Sequence, residues 1–201
     1  MKPARLMAVA VLLVSCVLSP LAAHAQAAPA PAPRDWRVKP EGSTLTYKLK
    51  HKLHEGVGKA APTSGLARLL PDGTLQVAVR ANVADFDSGN ANRDAHMKEV
   101  TEANKFPLVE FKGVASGVKV PEAFPAQVPV TLKGQVTFHG VKQAVEVPMT
   151  VTFTSAKEAR AEGSFQLSLE AHKVERPSLL MVKVEDALVL EPQLVLVGEG
   201  P

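Results

Sequence analysis

Apolar and polar side chains alternate along most of the chain beyond its first forty residues. The clearest case is the stretch Val130–Phe153, where apolar residues fall on even positions in the first half and on odd positions in the second half. A period of two places all the apolar groups of a β-strand on one face. Between the halves, His139-Gly140-Val141-Lys142-Gln143 contains a glycine that favours a turn. This stretch therefore predicts an antiparallel hairpin with one polar and one apolar face.

The same alternation predicts six further strands, bounded by turn residues such as Pro71-Asp72-Gly73. They cover residues 45–53, 66–70, 75–83, 109–115, 165–171 and 188–196. Between Asn90 and Asn104 the period changes, and we expect a short helix with Asn90 or Asn92 as its N-cap. Three prolines between Gly117 and Pro129 predict an irregular loop.

Eight one-sided strands, a short helix after the third strand and no helical crossovers predict an antiparallel all-β domain. The apolar faces must share one interior, either between two facing sheets or inside a closed barrel. A barrel leaves no unpaired strand edge, and an eight-stranded barrel is either filled by its own side chains or holds one small ligand. Because only 4% of the residues are aromatic, small and medium side chains dominate the interior, which favours a lumen with free space.

The first 25 residues have the features of a secretory signal peptide. A basic start precedes an apolar run from Leu6 to Leu18, which is too short to span a membrane, and Ala23-His24-Ala25 is a small-x-small cleavage site. We therefore expect cleavage after Ala25 and a periplasmic or secreted protein. The alternative is a lipoprotein, because Leu13-Val14-Ser15-Cys16 resembles a lipobox that would anchor the chain at a lipidated Cys16.

Removal of this leader changes the charge of the chain. Loss of Lys2 and Arg5 lowers the formal net charge from +3 to +1, which argues against a nucleic-acid-binding protein. Cys16 is the one cysteine of the sequence, so we expect no disulfide after cleavage. Residues 26–34 are rich in Ala and Pro and predict an extended tether, followed by the folded domain at residues 35–201.

Several motifs resemble those of the YceI-like family. In chain order they are Ser43-x-Leu45-x-Tyr47-x-Leu49-x-His51, Phe86-Asp87-Ser88-Gly89, Arg93-Asp94-x-His96-Met97, Phe106-Pro107-x-x-x-Phe111 and Leu132-x-Gly134-x-Val136-x-Phe138-x-Gly140-Val141-x-x-x-Val145. The resemblance runs from Trp36 to Phe153 and fades beyond it. It implies a secreted or periplasmic lipocalin-like barrel that binds a long isoprenoid or similar amphiphilic chain in its lumen and is not an established enzyme.

On this basis we expect a non-enzymatic protein that transports, stores or sequesters a long-chain isoprenoid, quinone or fatty-acid-like amphiphile. No cofactor or metal is needed, because an apolar tunnel gains about 0.8 kcal/mol for each methylene that it buries. The alternative is an enzyme or stress-protective factor that acts on a bound quinone-like or lipid-like molecule. No transmembrane segment is expected after cleavage, and homodimer formation is left open. The side chains expected to contact the ligand are Tyr47, Leu49, Val79, Phe111, Val136, Phe138, Val147, Met149, Val151, Phe165, Leu167 and Leu169.

Arg93, Asp94 and His96 are the main polar candidates. They could act as an acid-base set, but neither a nucleophile nor a second carboxylate accompanies them. We therefore interpret them as a structural cap that fixes the helix on the barrel mouth.

Three further histidines and one valine allow definite expectations. His51 lies on the apolar strand face, either as a core histidine or as a contact for a ligand headgroup. His54 would point to the opposite face of the same strand, so a metal shared with His51 is not expected. His139 lies in the hairpin turn and should be solvated. In an open lumen, the ring introduced by Val147→Phe should fit without loss of stability.

Overall fold

The computed structural model describes residues 32–52, 54–179 and 182–199, so the predicted signal peptide and most of the tether lie outside the described residues. The described residues form twelve strands, one α-helix and a short 3₁₀ turn at Val83–Asp85. In chain order the strands and the helix are β1 (Arg34–Lys50), β2 (Glu55–Ala60), β3 (Ser64–Leu69), β4 (Leu75–Asn82), α1 (Ala91–Val100), β5 (Leu108–Ala115), β6 (Ala126–Phe138), β7 (Val141–Phe153), β8 (Glu158–Gly163), β9 (Phe165–Ser168), β10 (Ser178–Leu179), β11 (Val182–Lys183) and β12 (Ala187–Glu199).

Ten of these strands form a closed antiparallel barrel. The first part of β1 pairs with β3 and its second part pairs with β2, while its other edge pairs with β12. β8 and β9 likewise pair with successive parts of β12. The barrel therefore has eight strand positions, two of which are each occupied by two short strands. This confirms the predicted eight-stranded antiparallel barrel with a short helix after the third strand position.

Strand β1 begins at Arg34 rather than at Leu45. The sequence pattern misses its first part because a bulge interrupts the pairing with β12 between Lys39 and Thr44. Within the bulge Gly42 has a φ of 82°, and the Ser43 hydroxyl accepts a hydrogen bond of 2.8 Å from the backbone N–H of Val195. The predicted loop of residues 117–129 is shorter than expected, since β6 begins at Ala126.

Helix α1 begins as its sequence predicts. The side chain of Asn90 is the N-cap and accepts a 3.0 Å hydrogen bond from the backbone N–H of Arg93. No residue of α1 is buried, so it lies on the barrel instead of contributing to a core of its own. Among the described residues, no helix is both long enough and apolar enough to cross a membrane.

The inward-facing side chains divide the barrel into two halves. Along β12, Leu188 and Leu190 are half-buried, whereas Leu194 and Leu196 are buried. The filled half packs around Trp36 and Phe153, whose rings meet edge to face with their centroids 6.2 Å apart. The open half is the barrel end beside α1, where inward-facing side chains border free space.

Candidate ligand-binding cavity

The open half contains a cavity of about 510 Å³. Its walls come from the last residues of β1, from β9 and from the first residues of β12, represented by Leu49, Leu167 and Leu188. These three residues are neighbours across the strands, because Leu188 pairs with Leu49 on one side and with Leu167 on the other. The alternation that keeps them on one strand face therefore builds a continuous apolar wall.

Helix α1 covers one side of this cavity. Arg93, His96, Met97 and Val100 line it, and their spacing of three and four residues places them on one face of the helix. Two of these side chains are apolar and two are polar. The helix thus contributes both to the apolar wall and to the polar rim of the cavity.

Tyr47 supplies a phenol to the cavity wall. Its ring lies over Gly58, where a Cβ atom would come within 2.3 Å of the Tyr47 Cε1 atom, so a larger residue at position 58 would displace the ring. The ring also packs against Phe86, with the centroids 5.6 Å apart. Burial and, to a smaller extent, the Asp94 carboxylate raise the pKa of the Tyr47 phenol. The phenol is therefore protonated at neutral pH and can donate a hydrogen bond.

Arg93 and Asp94 attach α1 to the segment that precedes it. Arg93 Nε donates to the Ser88 hydroxyl at 2.8 Å, and Arg93 Nη2 donates to the Ser88 carbonyl oxygen at 2.7 Å. Asp94 Oδ1 accepts from the backbone N–H of Ser88 at 3.1 Å. His96 is separate from this network, and its Nδ1 atom lies 3.6 Å from Oε2 of Glu99. Arg93 and Asp94 therefore both contact Ser88, whereas His96 lies on the cavity rim, and the cap role of the three residues stays a prediction.

His51 and His54 meet at the mouth of the cavity. The expectation that they point to opposite strand faces is wrong, because β1 ends at Lys50 and the backbone N–H of His51 donates to the carbonyl of His54 in a turn. Their ring centroids are 5.2 Å apart. His51 is buried, and its Nε2 lies 3.0 Å from the carbonyl oxygen of Val182. In the described part of the chain, no group of three or more His, Cys, Asp or Glu residues could hold a metal ion.

A sequence model of the YceI-like domain matches residues 36–196. The chain belongs to the YceI-like family. The match extends the resemblance noted for residues 36–153 to nearly the whole barrel, including β8, β9 and most of β12.

Two solved structures share this YceI-like fold. A polyisoprenoid binding domain from Saccharophagus degradans, implicated in plant cell wall breakdown, has 12% sequence identity and a TM-score of 0.66, and the match covers 82% of this chain and 98% of that domain. BcnA from Burkholderia cenocepacia has 19% identity and a TM-score of 0.62, with coverage of 79% and 98%. At these identities the likeness shows the fold alone. A search of the curated proteins found no match.

The twelve side chains predicted to contact a ligand all face the YceI-like lumen, but they do not share one cavity. Five line the large cavity: Tyr47, Leu49, Phe138, Leu167 and Leu169. Six line a middle cavity of about 80 Å³: Val79, Phe111, Val136, Val147, Met149 and Phe165. Val151 lines an end cavity of about 60 Å³ in the filled half. Contact with a ligand stays a prediction for all twelve.

His139 is not solvated, contrary to the expectation from its place in the hairpin turn. Its side chain is only 10% exposed and packs edge to face on Phe106. Nε2 lies 3.0 Å from a carboxylate oxygen of Glu102, and Nδ1 lies 3.0 Å from the carbonyl oxygen of His172. The turn is therefore tied to the segment after α1 and to the segment after β9, neither of which its local sequence indicates.

Several cavity residues were not predicted. Leu188 and Leu190 belong to a predicted strand, and their alternation would have identified them. Met97 and Val100 share the helix face of Arg93, so helical spacing would have identified these two residues as well. Phe86 lies in an irregular segment, where no periodic signal reveals which way a side chain points.

Proposed function

We propose that this YceI-like protein binds an amphiphile with a long apolar chain, an isoprenoid or a related lipid, in the open half of its barrel. The observation that carries the proposal is the cavity of about 510 Å³ with apolar walls. An apolar chain gains about 0.8 kcal/mol for each methylene buried there, without any need for specific polar contacts. The polyisoprenoid binding domain of Saccharophagus degradans, which has the same fold, supports this class of ligand.

The polar end of the ligand would lie at the mouth. His51 and His54 approach it from the turn after β1, and Asn90, Arg93 and His96 approach it from the first turns of α1. These side chains offer both donors and acceptors of hydrogen bonds. The opposite end of the cavity is apolar, so the chain would point toward the filled half.

The biological role we propose is non-enzymatic transport, storage or sequestration of this lipid outside the cytoplasm. The basis for the location is the sequence of the leader, with its cleavage site after Ala25. Intact-mass measurement of the exported protein tests it, and the expected N-terminal residue is Gln26. A species that begins at a lipidated Cys16 would overturn cleavage after Ala25 in favour of a lipoprotein.

Two neighbouring positions of β1 allow a matched test of lipid binding. Leu49 lines the cavity, whereas Lys50 is exposed. Purified protein should release about one equivalent of a long-chain lipid into organic solvent. Leu49→Trp fills part of the cavity and should lower this amount severalfold, while Lys50→Trp should leave it unchanged. Extracts that are always empty, or equal amounts of lipid from the two variants, would contradict the proposal.

A further inference from the structure

Three cavities follow one another along the lumen, from the mouth to the filled half. The large cavity and the middle cavity share the lining residues Phe86, Val109 and Leu190. Five residues line both the middle cavity and the end cavity: Val77, Val79, Leu132, Met149 and Leu194. Among the residues that the structure describes, none lines both the large and the end cavity. The middle cavity therefore lies between the other two.

Phe86, Val109 and Leu190 form what we call the neck of the lumen. Leu190 lies between Tyr47 of β1 and Phe165 of β9 in the pairing of β12. Phe86 is buried, and Val109 and Leu190 are half-buried because they border free space on both sides. A chain that enters from the mouth must pass these three side chains to go deeper.

Beyond the neck, two aromatic rings occupy the lumen. Phe111 and Phe165 both line the middle cavity and pack against the core clusters of both barrel halves. The ring of Phe111 lies over Gly113, where a Cβ atom would come within 2.5 Å of its Cζ atom. The space that remains there is about 80 Å³, against about 510 Å³ on the mouth side. The free volume of the lumen thus drops sharply at the neck.

The volumes set a length for the bound chain. Benzene occupies a cavity of roughly 150 Å³, which corresponds to roughly 25 Å³ for each carbon atom. At this density the large cavity of about 510 Å³ holds about 20 carbon atoms, which is about four isoprene units. We propose that the neck limits the buried chain to this length, so that the protein selects isoprenoids of about four units over polyisoprenoids of about eight. This inference rests on the proposed function and names its ligand class.

Extraction of isoprenoid alcohols from vesicles tests this limit on the length of the bound chain. The delipidated protein is incubated with phosphatidylcholine vesicles that contain an equimolar mixture of all-trans isoprenoid alcohols from two to eight units, and the bound alcohols are quantified by mass spectrometry. Each carbon of the bound alcohol that lies in water instead of in the bilayer costs about 0.8 kcal/mol, which lowers the amount of bound alcohol about fourfold. Loading by the wild-type protein should therefore be nearly constant up to four units and should fall at least tenfold by six units.

Leu190→Ala is the decisive variant, and Leu196→Ala is its control. Leu190→Ala removes three carbons at the neck and joins the middle cavity of about 80 Å³ to the large one, which makes room for about six more carbons. The limit should then move up by about one isoprene unit. Leu196→Ala removes the same atoms from the end cavity, on the same face of the same strand, and should leave the limit at four units.

The possible results separate this inference from the proposed function. Wild-type protein that loads eight units as well as four would overturn the length limit, although the protein would still bind lipid. An unchanged limit in folded Leu190→Ala would overturn the assignment of the neck. Val109→Ala, which opens the neck from β5, takes its place if Leu190→Ala does not fold. Failure of every alcohol to load would instead reject the proposed function.

Discussion

Two leucines on the same face of β12 should respond differently to the same truncation. Leu188 borders the cavity of about 510 Å³ and is half-buried, whereas Leu194 is 7% exposed and lies between the middle and end cavities. Leu194→Ala removes packing in the filled half and leaves an enclosed void, which should lower the free energy of unfolding by about 2–5 kcal/mol. Leu188→Ala only enlarges an existing cavity. It should lower the free energy of unfolding by about 1–2 kcal/mol, which is the transfer free energy of the buried part of the Leu188 side chain.

Urea unfolding of the delipidated variants measures this difference. Trp36 is the one tryptophan of the chain and is buried in the filled half, so its fluorescence follows global unfolding. For a domain of this size, each kcal/mol also corresponds to about 2–4 °C in Tm. Leu194→Ala should therefore melt several degrees below Leu188→Ala in the absence of lipid.

Added lipid should reduce this difference in stability between the two variants. A ligand at a hundred times its Kd stabilises the folded state by about 2.7 kcal/mol, and this gain depends on contacts in the large cavity. Leu194→Ala should keep the whole gain, whereas Leu188→Ala should lose part of it because its side chain borders the ligand. Equal losses of stability without lipid, or a ligand gain that disappears in Leu194→Ala, would refute the division of the barrel into a filled and an open half.

Three further substitutions or titrations test single contacts. Arg93→Ala should lower the free energy of unfolding by about 1–3 kcal/mol, because it removes two hydrogen-bond donors from the half-buried Ser88; unchanged melting and lipid retention would contradict the cap. Tyr47 is the one tyrosine, and burial and Asp94 raise its pKa, so its phenolate absorbance should appear above pH 10.0. The contribution of the Tyr47 phenol to the free energy of unfolding is complete below pH 10.0 and is lost as the pH rises through the folded-state pKa. Titration of the phenol at its ordinary pKa of 10.0 would refute the raised pKa. Val147→Phe should cost about 1–3 kcal/mol, because Val147 is 3% exposed beside a cavity of about 80 Å³; unchanged urea unfolding would show that the ring fits.

The sequence predicts the opposite for Val147→Phe, namely a ring that fits without loss of stability. The difference has a reason that applies to every inward-facing position. Alternation shows which side chains face the lumen, because the strand period depends on one strand alone. Whether free space remains beside an inward side chain depends on its neighbours across the barrel. Val147 and Leu49 are both inward-facing in the sequence pattern, yet one is packed in the middle of the lumen and the other borders the large cavity.

Most of the fold could be predicted because the strands are one-sided and long. Two of the strand regions that the alternation does not indicate have local reasons. The first part of β1 contains the bulge between Lys39 and Thr44, which breaks the period. In β8 the inward residues are Ala159 and Ala161, whose small side chains give a weak apolar signal, although both are buried under larger neighbours in the filled half.

The histidines show that the local sequence pattern does not determine the orientation and surroundings of every side chain at the site. The alternation places His51 and His54 in one strand, but the strand ends before them and a turn brings the rings together. The position of His139 in a hairpin turn predicts a solvated side chain, but two segments distant in sequence cover it. For His51 and His54 the end of the strand decides which way the rings point, and for His139 contacts with distant segments decide the environment of the ring.

The division of the lumen has a visible origin in the backbone. β8 and β9 are separated at Ser164, and the change of partner falls in β12 between Leu190, which pairs with Phe165, and Gln193, which pairs with Glu162. Pro192 lies in this interval, where a residue without a backbone N–H is tolerated because the ladder on the β8/β9 side is already interrupted. On the other side, the pairing of β7 with β8 ends at Met149, directly after Pro148. Pro192 also lines the middle cavity, so the strand break and the narrow part of the lumen lie at the same level of the barrel. The prolines that interrupt two otherwise regular apolar strands in the sequence therefore mark the boundary between the filled half and the open half.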